Sequence, residues 1–276
     1  MQTTQVIVMT GCASGIARHL TKALSTAYRI VATDVNVTGL EQCAKEDGWS
    51  PEQVKTLKLD VRNAGEWEEC LRVALAHFGR VDVLMNVAGY LKPGFVHQLD
   101  AAEVDKHLDI NTKGLIHGCR VIGRHFAAQK SGHIVNIGSL ASLAPVAGLN
   151  LYVASKYAVR GFTLAIAQEL APHHVHVSLV MPDAVQTPML DLQVDYAEAA
   201  MTFSGPRALT VQDIERVLIE EVLPNRPLEV TIPMTRGLIA RFATFMPSTA
   251  MSLGPTFNSQ GRKKQEALKA LRAPKE

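Results

Sequence analysis

Seven short apolar runs, each followed by a stretch of helical periodicity, limit this chain to very few folds. They occupy residues 5–10, 29–34, 54–59, 81–85, 133–137, 176–180 and 228–232. Between them, Trp67, Cys70, Leu71, Ala74, Leu75 and Phe78 recur at i, i+3, i+4 spacing, the signature of an amphipathic helix. Val104, Leu108, Leu115, Cys119, Ile122 and Phe126 form a second apolar stripe, with Asn111 inside it, and residues 214–222 repeat the pattern on a last main helix. Strand–helix units of this size predict an α/β fold: a doubly wound parallel sheet of about seven strands, with helices on both faces and right-handed crossovers. A chain of 276 residues, 47% of them hydrophobic, is long enough for one large domain or two small ones. With no linker composition along it, the expectation is a single domain.

Charge and cysteine content narrow the function classes. A formal net charge of +2 with 20% charged residues demands neither nucleic acid nor an acidic partner. Cys12, Cys43, Cys70 and Cys119 lack paired spacing, which fits reduced thiols packed as small hydrophobes. His173, His174 and His176 are close in sequence, but only His174 and His176 share a strand face, too few ligands for a metal. No metal is assigned. No basic leader precedes a signal-length apolar run, and no stretch nears the roughly 20 apolar residues that span a bilayer. A cytoplasmic protein is expected.

The first strand gives way to Gly11-Cys-Ala-Ser-Gly-Ile-Ala17 and then a helix. Gly11 allows a tight turn, and Gly15 lets a pyrophosphate approach backbone N–H groups where the helix dipole favours negative charge. A plain βα turn would use the same residues. The second strand ends in Asp34, where a carboxylate accepts both hydroxyls of an adenosine ribose and repels a 2′-phosphate. Neither Ser14 nor Val35 is a base that could neutralise one, so NAD is favoured over NADP. Tyr152 and Lys156 are four apart and share a helix face. A phenol titrates near ~10, and a nearby cation lowers that value, which equips the pair to move a proton between a carbonyl and its alcohol. Ser139 follows the fifth strand at its carboxyl end, where open parallel sheets bind ligands. Asn111 suits either a catalytic amide or a satisfied structural one.

Taken together, Thr10-Gly-Cys-Ala-Ser-Gly-Ile-Ala17, Asp60-Val61, Asn86-Val-Ala-Gly89, Asn111, Ser139 and Tyr152-x-x-x-Lys156 resemble, in order and spacing, the short-chain dehydrogenases/reductases. The resemblance covers residues 6–232. It implies a Rossmann-like catalytic domain over residues 1–233, with cofactor contacts at Gly11, Ser14, Gly15, Ile16, Asp34, Asp60, Val61, Asn86, Ala88, Gly89, Val185 and Thr187. It also implies Tyr152 as general acid/base and Lys156 as the cation that lowers its pKa and binds nicotinamide-ribose hydroxyls. Ser139 would hydrogen-bond the substrate oxygen, and Asn111 would hold a water relaying protons toward Lys156. A homodimer or homotetramer on the helices bearing Asn111 and Tyr152 is implied as well. Three positions depart from the family pattern: Ala17 for a third glycine, Val87 for a second asparagine, and Asp183 for a glycine beside the nicotinamide. Asp183 is expected to point to solvent.

The pocket segments supply Leu91, Phe95, Leu143, Val146, Leu149, Met189, Leu190, Leu192, Met201 and Phe203. Such walls suit a bulky hydrophobic substrate, steroid-, retinoid- or lipid-like, better than a sugar; the other reading packs some of them on the protein itself. Residues 234–276 form an amphipathic and basic extension. From Arg236 onward, eight Lys/Arg face two acids, a local +6, and Leu238, Ile239, Phe242, Phe245 and Met246 share a helical face. The adopted reading is a helix packed on its own domain with a solvated basic end. Capping the cleft, docking a partner and touching an anionic membrane stay open. The overall expectation is an NAD-dependent oxidoreductase interconverting a secondary alcohol and a ketone. An NADP-dependent carbonyl reductase and a non-catalytic NAD(H)-binding protein are the alternatives.

Overall fold

A computed structural model describes residues 4–272; Lys275 and Glu276 of the tail lie outside the described residues. The strands are β1 (Val6–Thr10), β2 (Arg29–Asp34), β3 (Val54–Lys58), β4 (Val83–Asn86), β5 (Gly132–Ile137), β6 (Val175–Pro182) and β7 (Glu229–Ile232). They pair in the order β3-β2-β1-β4-β5-β6-β7, and every pairing is parallel. The sequence predicts this sheet because a strand buried on both faces reads as an unbroken apolar run; all five residues of β1 are buried.

The helices are α1 (Gly15–Leu24), α2 (Val37–Glu46), α3 (Ala64–Phe78), α4 (Ala101–Leu108), α5 (Leu115–Gln129), α6 (Asn150–Leu170), α7 (Pro188–Gln193), α8 (Val211–Val217), α9 (Leu223–Asn225), α10 (Met234–Phe245) and α11 (Pro247–Arg272). One core joins β1, β4 and β5 to α3, α5 and α6 through Trp67, Phe126 and Val159. A second core joins the sheet to α1, α2 and α8 through Leu20, Leu40 and Ile214. All four cysteines are buried and unbridged. No helix among the described residues is long and apolar enough to cross a membrane.

One local feature departs from the sequence pattern. Between α4 and α5, residues Asp109–Gly114 form a π-helical segment, and the added residue shifts the helical phase. The expected stripe therefore breaks: Leu108 is exposed, while Glu103 and His107 turn inward. They hold the chain after β4. The Tyr90 hydroxyl donates to Glu103 at 2.7 Å, and the Lys92 backbone N–H donates to His107 Nε2 at 3.2 Å.

The C-terminal extension folds onto the catalytic unit, in keeping with the adopted reading of a helix packed on its own domain. Helix α10 buries Gly237, Ala240 and Ala243, and a Cβ at Gly237 would come within 2.0 Å of Thr231 Oγ1 on β7. Only a residue without a side chain permits that approach. The Thr244 hydroxyl donates to the Leu143 carbonyl. Helix α11 lies along residues 197–204, where Gln265 donates to the Gln193 and Tyr196 carbonyls at 2.9 and 2.7 Å. Its basic end is solvated as expected: Arg262, Lys263, Lys264, Lys269 and Arg272 are all exposed, Arg272 in a surface pair with Asp191.

Candidate active site

The carboxyl ends of the strands open onto two adjoining cavities. The smaller, about 470 Å³, lies over β1, β2 and β4 and is lined by Gly11, Ser14, Gly15, Ile16, Asp34, Asp60, Val61, Ala88, Gly89 and Thr187. These are residues the sequence assigns to a cofactor. Gly11 adopts φ +80°, and a Cβ there would lie 3.0 Å from the Ala88 Cα, so the turn is shaped around a missing side chain. No acid stands in the first turn of α1, and Ser14 makes no side-chain cap. The first N–H groups of that helix are thus not claimed by a cap and suit a pyrophosphate. The Asp34 carboxylate is fixed by backbone N–H groups of its neighbours, accepting from Ala13 N at 3.0 Å and Asn36 N at 2.9 Å. The donor set fits a dinucleotide.

Asp60 accepts from Arg62 Nε and Nη2, the latter at 2.6 Å. That guanidinium, which also faces the cavity, was not singled out from sequence. Asn86 is placed elsewhere. It is buried inside the sheet, donating to Asn136 Oδ1 at 2.9 Å, while Asn136 donates to Thr163 on α6 at 3.0 Å. The amide chain ties β4 and β5 to α6 instead of lining the cleft. The turn after β4 is held instead by Thr10, whose hydroxyl accepts from Val87 N and Ala88 N, both at 3.1 Å. With two backbone donors on one threonine, valine at position 87 leaves the turn intact. Ala17 packs into the second core.

The larger cavity, about 1050 Å³, adjoins the first at Ile16, Val87, Gly89, Thr187 and Met189. Ser139, Tyr152 and Lys156 line it beside Val185. Ser139 leaves β5 and caps the short turn Leu140–Ser142, accepting from Ala141 N at 3.1 Å, which fixes its hydroxyl toward α6. Its hydroxyl faces the Tyr152 hydroxyl within hydrogen-bonding reach. Lys156 is buried and donates to the Ile137 carbonyl at 2.8 Å. Burial pushes the Tyr152 phenol up to about 12 despite the Ser139 bond, which pulls it down. Burial pulls the Lys156 ammonium down to about 8. The lowering of the phenol expected from Lys156 is not seen in the protein alone: Ser139 is the group that pulls it down, and desolvation, which penalises both charged forms, outweighs that bond.

Asn111 sits in the π-helical segment, behind the site. Its side chain accepts from Tyr90 N at 2.7 Å and donates to the Tyr90 carbonyl at 2.9 Å and to Ser155 Oγ at 3.0 Å. Ser155 lies beside Lys156 on α6, so Asn111 ties the π segment to the catalytic helix through a satisfied amide.

The cavity wall corrects part of the expected pocket. Leu91, Val146, Leu149, Met189, Leu190 and Met201 line it. Phe95 and Leu192 are exposed, Leu143 lies in the main core, and Phe203 packs with Leu190 and Val194 in a small cluster. The extension supplies the rest, in line with the reading left open that it caps the cleft: Ile239, Phe242, Met251, Leu253 and Phe257 complete the wall. Asp183 does not point to solvent. It pairs with Arg236 of α10 at 2.7 Å, with the two side chains 15% and 24% exposed. The isolated charges at 183 and 236 were the only signal, and 53 residues separate them.

Comparison with known proteins places these features in context. The sequence model for the family described as short chain dehydrogenase matches residues 5–196. The 2-(R)-hydroxypropyl-CoM dehydrogenase of Xanthobacter autotrophicus is 32% identical over 200 residues, 70% of this chain and 80% of that one. The cyclopentanol dehydrogenase of Comamonas testosteroni is 32% identical over 206 residues, 74% of this chain and 82% of that one. In structure, levodione reductase superposes with a TM-score of 0.75 at 24% identity, covering 84% of this chain and 97% of the other. ElxO with NADP bound gives 0.73 at 23%, covering 83% and 97%.

Proposed function

This chain belongs to the short-chain dehydrogenase family, an oxidoreductase of alcohol and ketone groups, and we propose that it interconverts a bulky hydrophobic secondary alcohol and its ketone with NAD as the hydride carrier. The observation that carries the reading is the Tyr152–Ser139 hydroxyl pair opening into a cavity of about 1050 Å³ walled mainly by aliphatic and aromatic side chains. A pocket of that size and lining gains affinity by burying apolar surface.

A nicotinamide dinucleotide, which Gly11, Ser14, Gly15, Asp34 and their neighbours in the smaller cavity would hold, would supply or accept the hydride. The remaining work falls to the chain's residues. The Tyr152 hydroxyl holds the proton that passes to the carbonyl oxygen in reduction and recovers it in oxidation. Ser139 donates a hydrogen bond to the same oxygen and sets its position. Lys156, charged below about pH 8, stabilises negative charge on the phenol as the proton leaves. Asn111 keeps α6 in register with the turn after β4. The apolar walls exclude water and strengthen each of these interactions.

Asp34 supports NAD, because its carboxylate stands where a 2′-phosphate would be repelled. Arg62 and Lys106 are the bases lining that cavity; both oxygens of Asp60 already engage Arg62, and Lys106 pairs with Glu103. The experiment is NADH formation from a panel of hydrophobic and small polar secondary alcohols, repeated with NADP and with Tyr152→Phe. Turnover confined to large apolar members, faster with NAD and nearly abolished in the variant, is expected. Equal turnover by Tyr152→Phe would remove the phenol from the chemistry, and preference for NADP would overturn the cofactor assignment.

A further inference from the structure

The part of the extension that walls the larger cavity also carries an apolar outer face. Met234, Leu238, Phe242 and Phe245 follow one another along one side of α10, with Ile239 and Met246 beside them, and they are 47–83% exposed. Met251, 70% exposed, and Leu253, 49% exposed, continue it onto α11. Isolated exposed apolar residues are ordinary, whereas a run of eight on adjoining turns marks a docking surface. Ile239, Phe242, Met251 and Leu253 belong both to this face and to the cavity wall, so the cavity opens onto the face.

The charges around it select the occupant. No acidic residue occurs from Pro233 to Gln265. Within that stretch Arg236 and Arg241 are engaged by Asp183 and Glu229. Arg262 and Lys263 are exposed and have no hydrogen bond or ion pair among the described residues. Arg262 lies eleven positions after Met251, three turns along the helix and on the same side. An amphipathic face of bulky aliphatic and aromatic groups, free of acids and followed by unpaired bases, matches an anionic lipid surface. Self-association through this face fits poorly: a two-fold contact sets the same patch against itself, and this patch offers no acid to meet its own bases.

We infer that the α10–α11 face docks on an anionic lipid bilayer and that the cavity takes its substrate from that surface. The second clause rests on the proposed hydrophobic substrate. The first does not.

The test is flotation of the full-length protein with unilamellar vesicles of phosphatidylcholine, with and without phosphatidylglycerol. Leu238→Asp/Phe245→Asp, which alters neither cavity wall nor catalytic residues, is compared with Arg262→Glu/Lys263→Glu. Wild type should float with the phosphatidylglycerol vesicles, and either double variant should lower partitioning roughly tenfold or more. Unchanged melting temperature and unchanged turnover of a hydrophobic secondary alcohol supplied in detergent, without vesicles, would certify the fold of each variant. No flotation, or flotation equal in Leu238→Asp/Phe245→Asp, overturns the proposal; so does a wild-type dimer that this variant splits, without lipid binding. Flotation in a protein lacking dehydrogenase activity would leave the docking intact and remove the enzymatic reading.

Discussion

Lys156 Nζ lies 5.6 Å from the centroid of the Tyr152 ring and donates to the Ile137 carbonyl at 2.8 Å. The cation is thereby held by the end of a buried strand, and it acts on the phenol across space. At such a separation in a low-dielectric cleft the interaction is still worth several kcal/mol at most, so its protonation state matters.

With Lys156 at about 8 instead of its ordinary 10.5, carbonyl reduction should hold steady below pH 8 and fall above it, as the lysine loses its charge. Lys156→Met should lower kcat/KM by roughly two to four orders of magnitude and erase that limb. Lys156→Arg keeps its charge to far higher pH, so its profile should stay flat through pH 8. A limb near 8 that persists in Lys156→Arg would assign it to another group. The measurement is kcat/KM against pH for all three proteins.

The Asp183–Arg236 pair fastens α10 beside the loop after β6. Removing one partner leaves the other partly buried without its counter-charge. Asp183→Gly and Arg236→Met should each cost about 1–2 kcal/mol, and together little more than either alone. KM for a bulky substrate should rise several-fold while kcat changes little, because the loss falls on the cavity wall. Thermal melts and steady-state kinetics of the double-mutant cycle decide it; strictly additive losses would mean that the pair does not act as one.

Gly237 tests how tightly the extension is laid down. A Cβ there would meet Thr231 Oγ1 at 2.0 Å and the Thr231 Cβ at 2.3 Å, inside contact distance. Gly237→Ala should therefore destabilise by about 1–3 kcal/mol, although alanine is the better helix former. Adding Thr231→Gly should recover part of the loss. Urea unfolding of the three proteins measures this, and a stabilised Gly237→Ala would mean that α10 does not approach β7 so closely.

His133 on β5 is buried, with Nε2 2.9 Å from Ser178 Oγ, and burial pulls it from 6.5 down to about 3. The folded state keeps the ring neutral where the unfolded chain takes a proton. Stability should consequently be full above about pH 6.5 and decline toward pH 3, by up to roughly 4–5 kcal/mol from this group alone. His133→Asn should flatten that slope while lowering stability at neutral pH. Urea midpoints at pH 7 and pH 4 give the comparison.

The sheet was legible because parallel strands buried on both faces leave continuous apolar runs, whereas the order of its strands was not read from sequence. The meeting of Ser139, Tyr152 and Lys156 was legible for a similar reason: two lie on one turn of a helix and the third at a strand's carboxyl end. Asn86 was not, since a single amide at a strand end does not reveal whether it faces the cleft or the neighbouring strand. The Asp183 partner escaped because it comes from the extension, whose docking depends on small residues at 237, 240 and 243 that carry little pattern. Phe203 and Leu143 were misplaced because an apolar side chain beside a cavity looks the same in sequence whether it lines the space or backs it.

The helix running from Ala101 to Gln129 carries one residue more, near Asn111, than an even winding would take. An α-helix turns about 100° per residue, so that surplus acts as a gear tooth between two faces with different duties. Glu103 and His107 serve the polar loop beyond β4, while Leu115, Cys119, Ile122 and Phe126 serve the apolar core. Excising one residue from 109–114 would leave the composition almost unchanged and yet force one of these sets to swing into water. The amide that ties the helix to α6 and the fold's internal timing are thus the same short stretch of chain.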